Sequence, residues 1–165
     1  MTERIMETLL AGDPRAGKVL ALGYDTHELG QIERLYDIKV QGQLKSFLYE
    51  MGKSDGGVIG EYLIPLYTPS WGIRSHLLFQ VDFFDQMQEA GHYTFLNKPF
   101  VVALVSETQY YFVQTGLGND AVYHFDSNTD EVKETNWDLI GFLGELAEEN
   151  AGDCHLVTEG SLVRI

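Results

Sequence analysis

Apolar residues recur every three or four positions from Asp25 to Met51, a period that predicts two short amphipathic helices. In the first, Leu29, Ile32, Leu35 and Tyr36 fall on one arc, and Asp25 followed by Glu28 forms a capping-box pattern ahead of it. In the second, Leu44, Phe47, Leu48 and Met51 share a face while Lys45, Ser46 and Glu50 point elsewhere. Gly52 and then Gly56-Gly57 end that helix and turn the chain. Upstream, residues 3–10 read as a short helix and residues 11–18 as a connector broken by glycine and proline.

Beyond Val58 the period changes. Residues 62–67 predict an edge strand, since Pro65 has no N–H to donate to a ladder. A loop over 68–76 carries Trp71, and a third helix over 78–90 gathers Phe83, Phe84, Met87 and Ala90 on one side with Asp82, Asp85 and Glu89 on the other. Phe100–Val105, Tyr110–Gln114 and Ala121–Phe125 read as strands separated by short turns, and Ser127–Asp130 leads to a brief strand over 131–133. The last helix is expected over 136–149, capped by Thr135 with Asp138 at its third position and with Leu139, Ile140, Phe142, Leu143 and Leu146 as its apolar face. Two apolar pieces of the tail, 155–157 and 162–165, suggest an edge hairpin. The expected fold is therefore α+β: one domain over residues 1–165 with a mostly antiparallel central sheet flanked by helices. An N-terminal helix and connector (1–24) precede its core (25–149), and an extension (150–165) follows.

With 165 residues, 44% hydrophobic and 12% aromatic, the chain suffices for one ordinary core. No apolar stretch approaches the roughly 18 residues that span a bilayer, so no membrane partner is expected. Cys154 is the single cysteine, which rules out an intramolecular disulfide and suits a reducing, cytoplasmic setting. Charge narrows the partners further. Twenty-five acidic against 11 basic residues give a formal −14, which argues against nucleic acid. The excess is uneven: residues 1–57 hold 9 acids and 7 bases, residues 58–165 hold 16 and 4. The acidic surface belongs to the sheet and the C-terminal half, and such a field speeds capture of a basic partner.

The candidate chemical motifs fail on context. Gly12–Lys18 matches half of a phosphate-binding loop, but a helical stretch precedes it and Val19 stands where Ser or Thr would hold magnesium. Asp126–Asp130 begins like a calcium loop, yet its sixth place is Glu131 and its twelfth Trp137, so it reads as a hairpin turn. His27, His76, His92, His124 and His155 show no ligand spacing. Cys154 beside His155 would point to opposite faces of a strand. No catalytic residue, cofactor or metal is assigned.

Ile32-Glu33, Tyr36-Asp37-Ile38, Leu44-Lys45-Ser46-Phe47-Leu48 and Gly56-Gly57 resemble the opening helices of the SUKH superfamily. The aromatic run Tyr110–Val113, the segment Ala121–Asp126 and the Phe-x-x-Leu helix at Phe142–Leu146 are similar to its later part, so the resemblance covers residues 25–149. It implies an α+β domain and a non-enzymatic role. Many bacterial members are immunity proteins that neutralise a toxin, and others are regulatory scaffolds.

Two acidic helix faces, Asp82, Asp85 and Glu89 on the third helix and Asp138, Glu145, Glu148 and Glu149 on the last, gain nothing in folding because like charges at such spacings repel. With Tyr62, Tyr67 and Trp71 as aromatic anchors, Asp82, Asp85, Glu89, Asp138, Glu145 and Glu149 form the expected toxin-binding set. The function expected is thus an immunity protein that occludes the active site of a basic toxin domain, nucleases being one such class. A regulatory scaffold of the same fold is the alternative, with a small hydrolase or nucleotide-binding enzyme behind it. The oligomeric state stays open.

Overall fold

The computed structural model describes residues 5–9, 20–151 and 156–165, so the Gly12–Lys18 stretch and the Cys154–His155 pair lie outside the described residues. Among the described residues five α-helices flank one sheet: α1 (Ile5–Leu9), α2 (Thr26–Leu35), α3 (Gly42–Met51), α4 (Ile73–Glu89) and α5 (Leu139–Glu149). The strands β1 (Pro99–Val105), β2 (Gln109–Gln114), β3 (Ala121–Asp126) and β4 (Glu131–Asp138) pair antiparallel in the order β1-β2-β3-β4. This is an α+β fold.

The helix pair forms for the reasons its residues give. Asp25 caps α2 by accepting from Glu28 N at 2.8 Å, and the Glu28 carboxylate accepts from Asp25 N at 3.1 Å. Leu29 and Ile32 are buried, whereas Leu35 stays partly exposed. All four apolar residues of α3 are buried. Gly42 opens α3 at φ +59°, where a Cβ would stand 2.5 Å from the Asp120 carboxylate. That carboxylate caps the helix instead of a local side chain, accepting from Gln43 N at 2.9 Å.

Strand alternation divides the core in two. On one face Phe100, Val102, Ala103, Val113 and Val122 pack against α2, α3 and α5, with Ile5 of α1 beneath them. On the other, Val101, Tyr110, Phe112, Tyr123 and Phe125 pack against Phe83 and Met87 of α4. A bulge between Val101 and Ala103 turns Val102 and Ala103 toward the same cluster. The continuous apolar run of β1 thus reflects burial on both faces, as its sequence predicts.

Four expectations need correction. Residues 62–67 form no edge strand: Pro65 opens a 3-10 turn, and the segment meets β1 through one bond, Leu104 N to Leu63 O at 2.9 Å. The third helix begins at Ile73, whose N–H donates at 2.7 Å to Arg164 O, a partner 91 residues away that no local pattern announces. The brief strand over 131–133 extends to Asp138, so α5 starts at Leu139 with Asp138, not Thr135, as its cap. Thr135 is occupied in the sheet, donating through Oγ1 to Val122 O at 2.7 Å. The tail forms no strand over 156–165. It is stitched down singly: Thr158 Oγ1 donates to Tyr67 O, Gly160 N to Lys53 O and Leu162 N to the Tyr24 hydroxyl.

Candidate functional site

The sheet is unevenly covered. β1 and β2 are buried on both sides, whereas β4 carries mostly exposed residues and lies at the edge. The register places Tyr111, His124 and Lys133 in one cross-strand row. Phe142 of α5 stacks on Tyr111 with ring centroids 4.6 Å apart, Tyr111 lies 4.8 Å from His124, and Trp137 lies 5.8 Å from Phe142. Tyr111 and His124 are half-buried and Trp137 is 38% exposed. These side chains line a hollow of about 430 Å³ together with Lys133, Glu134, Thr135 and Asn136. A second hollow of about 450 Å³, lined by His92, Asp126, Asp130, Glu131 and Val132, shares His124 and Lys133 with the first.

Electrostatics in this corner follow from partial burial among carboxylates. Burial, reinforced by Lys133, lowers the His124 pKa, and Asp126 opposes that shift. His124 Nε2 sits 2.6 Å from Gln109 Oε1. Burial and then the charge of the Glu149 carboxylate raise the Tyr111 pKa. Glu145 and Glu149 follow Phe142 by three and seven positions, hence lie on the same side of α5. Neither enters an ion pair with a described residue. The ion pairs among the described residues, Lys53–Glu28 and Lys98–Asp37, lie elsewhere.

The structure separates the residues that sequence reasoning grouped. Asp82, Asp85 and Glu89 are exposed on α4, which covers the opposite face of the sheet from α5, so the two acidic sets form no single surface. Tyr67 is 1% exposed and donates its hydroxyl to Met51 O at 2.8 Å, so it belongs to the core and anchors no partner. Tyr62 is 87% exposed in the turn off the β1 edge, at the far end of the sheet from β4. Trp71 is half-buried against His76 and Phe79. Asp138 spends its carboxylate on Gly141 N at 2.8 Å and Gln43 Nε2 at 2.9 Å, a structural cap beside the hollow. Of the expected set, Glu145 and Glu149 lie on the side of α5 whose Phe142 stacks on Tyr111. Tyr111, His124 and Trp137 went unassigned: strand alternation was enough to turn Tyr111 away from Tyr110, but Trp137 was hidden by its placement in a helix.

Asp126–Asp130 is the hairpin turn expected, with Asp126 accepting from Asn128 N at 2.8 Å, a bond that holds its pKa down. Among the described residues no group of three or more His, Cys, Asp or Glu side chains is placed to hold a metal ion, and no helix is long and apolar enough to cross a membrane. Compared with known proteins, the chain matches no family model and no curated protein.

Proposed function

We propose that this chain is a SUKH-like immunity protein that acts in the cytoplasm by binding a basic toxin domain and occluding its active site. The observation that carries the reading is the β4–α5 corner. There Tyr111, His124 and Trp137 remain partly open to solvent beside Glu134, Glu145 and Glu149. Partly exposed aromatic rings are the groups that contribute most to interface energy, and carboxylates with no ion-pair partner among the described residues steer a cationic partner. The net charge of −14 extends that attraction beyond the contact itself.

The test is bacterial growth with the C-terminal segment of the gene directly upstream expressed, with and without this protein. Rescue by this protein and not by an unrelated acidic protein is the expected result. A harmless segment, or toxicity that persists when this protein is present, overturns the reading and favours a regulatory scaffold.

A further inference from the structure

The two hollows adjoin along β4, one lined by its residues 131–133 and the other by its residues 133–137. Among the described residues no strand pairs with the outer edge of β4. The ladder to β3 is regular from Glu131 to Glu134, and its register then shifts before Asp138. The hollow between Trp137 and Tyr111 lies along this irregular stretch of the strand. An edge of this kind offers a row of main-chain donors and acceptors at one end and a side-chain recess at the other.

We propose that the outer edge of β4 is a strand-addition site for an extended, basic segment of a partner protein. The segment pairs with Glu131–Glu134 and places a lysine or arginine in the recess against the Tyr111 and Trp137 rings, with Glu134 in the same lining. Charge selects this occupant. The strand and its hollows carry Asp126, Asp130, Glu131 and Glu134 against Lys133, so a cationic segment is attracted, while a second copy of this −14 chain is repelled.

The proposal rests on the binding reading above and names its mode, and its first test needs no toxin. The probe is a ten-residue peptide of alternating lysine and valine, compared with a peptide of the same composition and charge carrying two central prolines. Amide hydrogen exchange of this protein is followed by NMR. The alternating peptide is expected to slow exchange at alternate amides of Glu131–Glu134 by about tenfold, and the proline peptide to have no such effect. Protection by both peptides alike, protection elsewhere, or none overturns the strand-addition site. Growth rescue retained in full by Trp137→Ala together with Glu134→Lys also removes the site but leaves the immunity reading standing. Protection at β4 without rescue does the reverse.

Discussion

His76 sits in α4 at 1% exposure with neither ring nitrogen hydrogen-bonded to a described residue, wedged at 5.3 Å against Trp71 and close to Arg164. Burial, with Arg164 adding to it, lowers its pKa from the ordinary 6.5 to about 4. Between those values the unfolded chain takes up a proton that the folded chain refuses. The stability that His76 contributes while neutral is therefore full above about pH 6.5 and falls as pH drops toward 4. Fully developed, a shift of this size is worth about 3 kcal/mol, of which about 2 kcal/mol falls between pH 7 and pH 5. In His76→Leu that part of the acid sensitivity disappears, and the variant also gains stability at pH 7 because two buried polar atoms without partners are gone. The assay is urea unfolding at pH 7 and pH 5, followed by far-UV circular dichroism. For a domain of this size 2 kcal/mol moves the midpoint by about 1 M. The other histidines are present in both proteins, so their contribution cancels in the comparison. If wild type and His76→Leu lose the same stability between the two pH values, His76 is not a neutral buried residue and the reasoning is wrong.

Asp55, 2% exposed, holds a loop by accepting from Gly57, Ile59 and Gly60 N–H groups, so Asp55→Ala should cost about 3 kcal/mol or more and Asp55→Asn less, measured by chemical denaturation. At Gly160 a Cβ would stand 2.0 Å from Leu66 O, so Gly160→Ala should lower the melting temperature by several degrees; an unchanged value would mean that the tail does not pack there. The Lys98–Asp37 pair has Asp37 89% exposed, so Lys98→Ala should change stability by under about 1 kcal/mol. With the toxin segment in hand, Glu145→Gln with Glu149→Gln should slow association at low salt, whereas Asp82→Asn with Asp85→Asn on the opposite side of the sheet should not; stopped-flow rates in the reverse order would move the interface to α4.

What the sequence made legible was local. The capping box at Asp25, the buried faces of α2 and α3, and the hairpin turn at Asp126 each depend on residues within a few positions of one another. What escaped depends on distant partners. α4 begins where the Arg164 carbonyl meets it, α3 is capped by Asp120, and Thr135 is drawn into the sheet by Val122. The candidate site suffered for the same reason. Charge and aromatic content named candidate residue types, but only the packing of α4 and α5 on opposite faces shows which of them share a side of the sheet.

The stitching of the tail also bears on how the chain is made. The Tyr24 hydroxyl receives the N–H of Leu162, 138 residues later, and Leu162 itself is fully buried in the same core as α2 and α3. While a ribosome is still adding residues, the N-terminal helices can form and meet, but their core has an open seat until Leu162 emerges. The opening of α4 at Ile73 likewise waits for Arg164. α2 and α3 are therefore closed by a residue made long after them, and a protein lacking Leu162 keeps that seat empty.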